Sequence, residues 1–446
     1  MVTYIPQLGR WPGQAPENPA AVIRDLFVIL LLIVMIVGAV TGSALVVALS
    51  ALAFVVTVTA RLWSALSLKD LDYSMTGSTT HAFVGEEIEV ALEFQNRKPL
   101  PVPWLRVHEL VPLGLEVVGK EDEFLDYMGG TPMDEVVSLG RYERLRRRHT
   151  VRALKRGHYN FGPSKISSGD LFGLYTSEKL VDRHAWSLVV YPETQPMPEL
   201  DLPNARPIGD VRTRNKLWYD PTRPAGIREY RPGDPVRTID WKATARRGEI
   251  FVRVFDPSVS QYVIILVEGT TTERPWEGFR MDVLEALASC AGSVAVRAAE
   301  LGFRTGLITN STLSLGGRNV IRPASGPQQL PSILESLAMM RPTTMARLDE
   351  LARSRARDAL PAGATVVYVT GQARESAVAY VLELARRGHP VITAWVGREA
   401  PPKLRGLNLR DHREQFGVQI EGEKRPPFAR PAGNRAKEFV PEPANG

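Results

Sequence analysis

Residues 26–60, LFVILLLIVMIVGAVTGSALVVALSALAFVVTVTA, carry no charged side chain. As one helix this run would span about 52 Å, whereas the hydrocarbon core of a bilayer is roughly 30 Å thick. Thr41, Gly42 and Ser43 interrupt the run near its middle, and glycine suits a tight turn. The sequence therefore predicts a transmembrane hairpin over residues 21–63, with legs at 21–40 and 44–63, after an N-terminal tail over residues 1–20.

Basic residues flank this hairpin, whereas its turn carries no charge. Arg10 lies before the first leg and Arg24 near its start, whereas Arg61 lies near the end of the second leg and Lys69 beyond it. Lys and Arg are enriched on the cytoplasmic side of a membrane, so both ends of the hairpin and the soluble domains are expected in the cytoplasm. The alternative, a cleaved signal peptide, would have an apolar region of roughly 7–15 residues, much shorter than this run.

The composition is that of a folded protein of two or three domains. Of the 446 residues, 44% are hydrophobic and 23% charged, which excludes general disorder. The net charge of +6 suits an anionic membrane leaflet as well as nucleic acid. Cys290 is the single cysteine, so no intramolecular disulfide can form. Its apolar surroundings favour a small buried side chain over a catalytic thiol.

The pattern of short alternating segments in residues 72–200 predicts an antiparallel β-sandwich-like domain. In residues 87–95, apolar side chains alternate with polar ones, as in a strand with one buried face. Turn signals separate short strand candidates at regular intervals, which favours a sandwich. The further strand candidates are residues 104–108, 115–118, 150–154 and 187–191.

A basic run covers residues 141–156. It contains Arg141, Arg144, Arg146, Arg147, Arg148, Arg152, Lys155 and Arg156, against one acid, Glu143. A solvated strand face is the first interpretation, and contact with lipid headgroups or an acidic partner is the second. Binding of nucleic acid is the third, and it is not expected of a membrane-anchored protein.

Residues 203–256 form a loop-rich junction, whose densest part is residues 226–247, GIREYRPGDPVRTIDWKATARR. Asp234 and Asp240 could form a catalytic carboxylate pair. Arginines lie equally near, however, and would keep both carboxylates ionised as salt-bridge partners. The sequence therefore predicts a compact turn that is braced by ion pairs.

Residues 257–415 alternate between strand and helix patterns, which predicts a doubly wound α/β domain with a mostly parallel sheet. The strands are expected at residues 262–267, 304–309, 365–370 and 391–396, and the helices at 280–301, 328–340, 345–355 and 375–387. Ligands bind such sheets beyond the carboxyl ends of the strands, so residues 268–272 and 370–372 are candidate binding loops. Residues 422–446 are rich in Pro and charge and are expected to be a disordered tail.

These features together resemble domain-of-unknown-function family fifty-eight over roughly residues 20–415. Residues 169–174 and 190–192 also look like segments of that family. The signature residues are Gly226, Arg228, Glu229, Tyr230, Pro232, Gly233, Asp234, Arg237, Ile239, Asp240 and Trp241. The resemblance implies a bacterial or archaeal membrane protein, often encoded beside a MoxR-type AAA+ ATPase, with a C-terminal domain similar to a von Willebrand factor A domain.

Such A domains often carry a metal-ion-dependent adhesion site, so the resemblance also implies where a metal would bind. The matching positions here are Glu268, Thr270, Thr272 and Thr344, while Thr370 replaces the last aspartate. Mg²⁺ demands near-ideal geometry, and this set retains one carboxylate and loses another. A degenerate site that does not bind Mg²⁺ is the prediction, with the hydroxyls satisfying backbone groups at the strand ends.

No catalytic motif is present in the sequence. It has no Walker A loop, no His-Glu-x-x-His and no Gly-x-Ser-x-Gly. The resemblance and this absence together favour a membrane-anchored interaction or scaffold protein, and not an enzyme. Its A-like domain would dock a protein partner, for example a MoxR-type AAA+ ATPase. A divalent-metal-dependent binding protein and an enzyme of unrecognised type are the alternatives.

Overall fold

The computed structural model describes residues 19–119, 130–181, 186–198, 202, 219–232, 234, 236–257, 262–273, 276, 278–314 and 316–418. The predicted N-terminal tail up to residue 18 and the predicted disordered tail at 422–446 lie outside these residues. The chain divides between Glu193 and Thr194 into two compact units, apart from the short stretch Leu337–Met339.

Two helices, α1 (Pro19–Val40) and α2 (Ala44–Ser67), form the predicted hairpin. The turn between them is at residues 41–43, where Gly42 has a φ of +72°, a value that favours glycine. The helices approach closely at Gly38, because a Cβ added there would lie 2.9 Å from Val46 Cγ1. The predicted break is confirmed, and the second helix continues four residues beyond the predicted leg.

The hairpin is apolar on the outside and partly polar on the inside. Among the described residues, α2 is long and apolar enough to cross a membrane, and Val28–Val40 is a shorter apolar stretch of α1. The outward side chains of α2 are large and apolar, including Leu45, Leu49, Leu52 and Val55. Its buried residues are small, namely Ser50, Thr57, Ala60, Ser64 and Ser67. This is the reverse of a helix pair that is buried in a water-soluble core.

Lys98 closes the carboxyl end of α2. Its ammonium group is buried and donates to the carbonyl oxygens of Ser67 and, at 2.6 Å, of Lys69. Burial lowers the pKa of this amine. The last carbonyls of a helix have no partner within the helix, and cations stabilise that end. Lys98 therefore ties the end of α2 to the β-strands that follow.

The first unit contains eleven strands. They are β1 (Leu71–Gly77), β2 (His81–Phe83), β3 (Glu87–Asn96), β4 (Val102–Pro112), β5 (Leu115–Val117), β6 (Gly130–Leu139), β7 (Arg144–Ala153), β8 (Gly157–Asn160), β9 (Ser164–Gly169), β10 (Thr176–Val181) and β11 (Ser187–Tyr191). The five strand candidates from the sequence correspond to β3, β4, β5, β7 and β11. The other six strands were missed; most of them are short or lack regular alternation, but β1 alternates Leu71, Tyr73 and Met75 with polar residues and could have been predicted.

Two four-stranded antiparallel sheets, in the orders β1-β3-β7-β5 and β10-β9-β4-β6, share one apolar core. Ile88, Val90, Leu92 and Phe94 of β3 fill it from one sheet, as their alternation predicts. A third sheet, β2-β11-β8, includes one parallel pair, β2 with β11, so the antiparallel prediction is wrong for that pair.

One polar pair lies inside this core. The Tyr73 hydroxyl donates to Glu109 Oε1 at 2.6 Å, and the Glu109 side chain is fully buried. Burial raises the pKa of both groups. This hydrogen bond satisfies the Tyr73 hydroxyl and Glu109 Oε1, as buried polar groups generally must be.

The arginines of the basic run that lie within β7 are solvated, as the first interpretation proposed, whereas Arg156, beyond the strand, is buried. Strand β7 pairs with β3, whose outward side chains are glutamates. Arg144 lies 2.7 Å from Glu93, Arg148 3.0 Å from Glu89, and Arg152 2.7 Å from Glu87. Exposed pairs of this kind contribute little stability each, but opposite charges on adjacent strands suit this pairing.

The second unit contains strands and helices in alternation. They are β12 (Tyr219–Glu229), a 3-10 turn (Val236–Thr238), α3 (Trp241–Arg247), β13 (Phe251–Pro257), β14 (Tyr262–Glu268), α4 (Met281–Glu300), β15 (Arg304–Thr309), β16 (Ser311–Leu313), β17 (Val320–Ala324), α5 (Gln329–Ala338), β18 (Met340–Thr344), α6 (Leu348–Ala359), β19 (Thr365–Thr370), α7 (Glu375–Arg386), β20 (Val391–Trp395) and β21 (Asn408–Asp411).

Six strands form the main sheet of this unit, in the order β17-β15-β14-β19-β20-β21. All neighbours are parallel except β15 and β17. Side chains of β14 and β19 form an apolar cluster with α6 and α7 on one face of the sheet. Helix α4 contacts β14, β15 and β19 but contributes no residue to that cluster, so helices cover both faces. The sheet is therefore a doubly wound α/β sheet, as the alternation of elements predicted.

Two details of the sequence prediction are wrong. The junction is not simply loop-rich, because β12 and β13 pair there as antiparallel strands. The helix predicted at residues 345–355 begins at Leu348 instead, after β18 pairs with β16. Cys290 is fully buried in α4, where burial raises the pKa of its thiol. The interpretation of this residue as a small core side chain is confirmed.

The Lys98 contacts lead to a testable prediction. Lys98→Met keeps most of the side-chain volume but leaves the carbonyls at the end of α2 without their donor, which should cost about 1–3 kcal/mol. Hydrogen exchange of residues 62–70 in detergent-solubilised protein should become faster accordingly. The matched control is Lys69→Met, at an exposed lysine of the same turn, which should leave exchange unchanged. Equal exchange in both variants would contradict the assigned role of Lys98.

Candidate functional site

The candidate site lies where the main sheet reverses its direction of growth. From β14 the chain passes through α4 to β15 on one side, and it later returns to place β19 on the other side. In open α/β sheets the crevice at such a switch point, beyond the carboxyl ends of the strands, is the usual ligand position. Strands β14 and β19 end side by side at Glu268 and Thr370. Both predicted binding loops therefore lie at this edge.

Glu268 is buried at the end of β14, with its carboxylate already hydrogen-bonded. Thr270 Oγ1 and Asn310 Nδ2 each donate to Glu268 Oε1 at 2.8 Å. Burial raises the pKa of this carboxyl, although those two hydrogen bonds and the charge of Arg374 oppose the effect. The side chain is therefore part of the internal bracing of the loop.

Asn310 holds three segments of this edge together. Its amide nitrogen also reaches the carbonyl of Ala346 at 3.2 Å, and its Oδ1 accepts from the backbone N–H of Gly269 at 2.8 Å. Asn310-Ser311-Thr312 matches the acceptor pattern for N-glycosylation. Asn310 is only 1% exposed, however, so it cannot accept a glycan in the folded protein. Sequence reasoning missed this role. The available signal was that Asn310 directly follows β15, the strand beside β14.

The loop from β14 to α4 folds back on itself through two threonines. Thr272 Oγ1 donates to the carbonyl of Gly278 at 3.0 Å, and Thr271 Oγ1 accepts from the backbone N–H of Arg280 at 3.2 Å. Across the crevice, Arg398 Nε donates to Asp282 Oδ2 at 2.8 Å, which fixes the segment after β20 to the first turn of α4. The crevice is lined by Thr271, Thr272, Glu273, Arg280, Gly371, Gln372, Arg398 and Glu399.

The predicted metal-site residues come together only in part. Glu268 and Thr270 are in contact, whereas the Thr272 hydroxyl is directed to its own loop. Thr344 is exposed at the end of β18, where its Cα pairs with that of Ser311. Thr370, in the position of the last aspartate, donates its hydroxyl to the carbonyl of Gln372 at 2.8 Å.

This donor set does not fit Mg²⁺. Over the described part of the chain, no three His, Cys, Asp or Glu side chains are grouped so that they could hold a metal ion. Glu268 Oε1 already accepts two hydrogen bonds, and the hydroxyls of Thr272 and Thr370 bond to backbone carbonyls. A hard cation needs several free oxygen ligands in octahedral geometry, which these residues do not offer.

Large apolar side chains project from the loop that borders the crevice. Trp276 is 78% exposed, and Phe279 and Met281 are each more than half exposed. The two threonine bonds close the base of this loop. Aromatic and Met side chains that are grouped on a surface are typical of protein–protein contact sites.

The signature segment is a second structured surface of the same unit. Strands β12 and β13 pair as an antiparallel ribbon, and the 3-10 turn and α3 connect them. Gly226 and Glu229 lie in β12, and the backbone N–H of Tyr230 donates to the carbonyl of Ile250 at 2.8 Å. Trp241 opens α3 and is 67% exposed. Gly233 and the side chain of Arg237 lie outside the described residues.

Both aspartates of the signature form ion pairs with arginine, as expected of a braced turn. The Arg228 guanidinium bonds both oxygens of Asp234, at 2.7 and 2.8 Å, and lowers the pKa of that carboxyl. Asp240 accepts from the backbone N–H groups of Lys242 and Ala243 and so caps α3. These bonds and its pair with Arg253 at 3.0 Å lower its pKa. Both groups are therefore held ionised, which suits bracing and not acid catalysis.

Residues 226–432 match a family described as "Protein of unknown function DUF58". The match begins at Gly226, the first residue of the signature, and covers the ribbon and the α/β sheet. The chain is also 22% identical over 338 residues to the uncharacterized protein YeaD of Bacillus subtilis (strain 168). That similarity covers 76% of this chain and 78% of YeaD.

Two solved structures are similar to smaller parts of the chain. The CARDB domain of the PF1109 protein from Pyrococcus furiosus is 16% identical over 27% of this chain and 92% of its own, with a TM-score of 0.18. Native alpha-2-macroglobulin from Escherichia coli is 19% identical over 28% of this chain and 17% of its own, with a TM-score of 0.20. TM-scores this low do not establish a shared fold.

The buried carboxyl of Glu268 leads to a prediction of pH dependence. Because its pKa is raised in the folded state, the folded protein keeps the proton to a higher pH than the unfolded chain. Stability should therefore fall as the pH rises from about 4.3 through the folded-state pKa. Glu268→Gln cannot ionise, so urea titrations over this window should show a smaller loss of stability in the variant. Glu350→Gln, at an exposed side chain, is the control and should lose as much stability over this window as the wild type. The same loss in Glu268→Gln would contradict the assigned role of the Glu268 carboxyl.

A second prediction concerns the cap of α3. Asp240→Ala removes both the acceptor for two backbone N–H groups and the partner of Arg253, so hydrogen exchange of residues 240–247 should become faster. Asp240→Asn keeps an acceptor oxygen and should have the smaller effect. Because the pKa of Asp240 is lowered, the protection in the wild type should be present above about pH 3.9 and be lost as the pH falls below it. Unchanged exchange in Asp240→Ala would refute the capping role.

Proposed function

We propose that this protein is a membrane-anchored interaction protein that docks a protein partner at the switch-point edge of its α/β unit. The loop that carries Trp276, Phe279 and Met281 beside the crevice is the observation that carries the proposal. The organisation of this unit would be that of a von Willebrand factor A-like domain with a degenerate metal site. A MoxR-type AAA+ ATPase is the partner class that the sequence resemblance implies.

The anchor is the α1–α2 hairpin. Large apolar side chains cover its outward surface over residues 29–40 of α1 and 45–55 of α2, and water would make such a surface costly to expose. The small polar side chains on the inside of α2 satisfy themselves within the helix, as Ser50 and Thr57 donate to carbonyls one turn back at 2.7 Å. The hairpin turn and the positive flanks support two spans with both ends in the cytoplasm.

The polar groups at the crevice favour docking over catalysis, because they are already hydrogen-bonded or ion-paired within the protein. Glu268 and Thr370 are engaged in local hydrogen bonds, and Arg398 is paired with Asp282. A catalytic acid or base would need an accessible titratable group that can reach a substrate. Binding energy at an interface, in contrast, comes mainly from exposed aromatic side chains of the kind that border this crevice.

The proposal can be tested by photo-crosslinking in native membranes. A photoreactive benzophenone amino acid at position 279 should give one specific protein adduct, which mass spectrometry would identify. The same residue at position 362, on the exposed turn before β19 at the opposite edge of the sheet, is the matched control. Trp276→Ala in the labelled protein should reduce the adduct. Equal or absent labelling at positions 279 and 362 would refute docking at this edge.

A further inference from the structure

The turn between β9 and β10, residues 170–175, is built to display its side chains. Asp170 is almost fully buried, and its carboxylate accepts from the backbone N–H groups of Phe172 at 2.8 Å, Leu174 at 3.3 Å and Tyr175 at 2.6 Å. Below it, Trp104 Nε1 donates to the Asp170 carbonyl at 3.1 Å. One buried carboxylate therefore fixes the backbone of the whole turn, which belongs to a segment that the resemblance had marked without assigning it a role.

The side chains that this turn displays are apolar. Phe172 is 68% exposed, Leu171 is 64% exposed, and Leu174 is exposed to 45%. A turn that is fixed by a buried aspartate and carries a phenylalanine and two leucines into solvent is unusual, because turns are ordinarily polar. Three neighbouring large apolar side chains on a rigid tip indicate a surface that is covered by an apolar phase.

The tip lies beside the end of α2. Ser177 is the second residue of β10, just after the tip. Its hydroxyl donates to the carbonyl of Ser64 at 2.9 Å, and the two serine hydroxyls are 3.2 Å apart. Lys98, which precedes β4 at the same end of the sheet as Trp104, holds Ser67 and Lys69. Arg61, one of the basic residues that flank the predicted hairpin, is within one turn of Ser64, and so is Trp63, a residue type that is enriched at membrane interfaces.

We propose that the 170–175 turn inserts Leu171, Phe172 and Leu174 into the interfacial layer of the bilayer that α2 crosses. The occupant of this apolar tip is lipid, because Ser177, two residues beyond the tip, is hydrogen-bonded to Ser64 near the end of the apolar helix α2. The inference rests on the proposed membrane anchoring. It adds a second contact of the first unit with the membrane, which would hold that unit in one orientation.

The test uses the full-length protein in liposomes, with Cys290→Ala as the background. An environment-sensitive fluorophore is attached to Phe172→Cys, and to Leu171→Cys as a second position on the tip. Leu113→Cys is the matched control, since Leu113 is an exposed leucine on a turn, nine residues along β4 from Trp104 and therefore about 30 Å from the tip. Leu52→Cys, on the outward face of α2, reports whether the helix itself is in the membrane.

Quenching by lipids with a nitroxide near the headgroup should be several-fold stronger at position 172 than at position 113. Quenching at position 52 should be strongest with the nitroxide deep in the acyl chain. Quenching at 52 together with equal quenching at 171, 172 and 113 would overturn the inserted turn and leave the anchor standing. Absence of quenching at 52 would overturn the anchor, and the inserted turn with it.

Discussion

The apolar outer surface of the α1–α2 hairpin is the constraint on which the rest of the structure depends. In α2, large aliphatic side chains such as Leu45 and Leu49 face outward, whereas its buried residues are serine, threonine and alanine. In water this arrangement would be unfavourable, because every outward leucine would remain hydrated. In lipid it is the expected one, since close approach at Gly38 and self-bonded hydroxyls then stabilise the pair.

The β-sheets of the first unit are joined to this hairpin by polar contacts at the end of α2. Lys98 supplies the donors that the terminal carbonyls lack, and Ser64 bonds with Ser177 of β10. Such contacts fix both the direction in which α2 leaves the unit and the turn that lies beside it. A flexible linker would not fix these positions. The hairpin and the β-sheets that follow it belong to the same compact unit.

The crevice at the carboxyl ends of the α/β sheet lies where ligands usually bind, but its polar side chains are engaged in local hydrogen bonds. Glu268 stands where a carboxylate could serve a ligand, yet Thr270 and Asn310 use its oxygen internally. The threonines that could have joined it close the loop instead. What remains available to a partner is the shape of the crevice and the apolar loop beside it, which favours recognition of a protein surface over that of a cation.

The order of the parts could be predicted from the amino-acid sequence: a charge-free run with a central Gly42, an alternating strand at residues 87–95, and strands and helices in alternation after residue 257. These are local patterns of hydrophobicity and turn chemistry, which are formed by residues that are close together in the chain. The folded structure was needed to show that the arginines of β7 face the glutamates of β3, that Asn310 reaches Glu268, and that the 170–175 turn lies beside α2. Each of these joins residues that are distant in sequence, and their meeting depends on strand order and register, which periodicity alone does not specify.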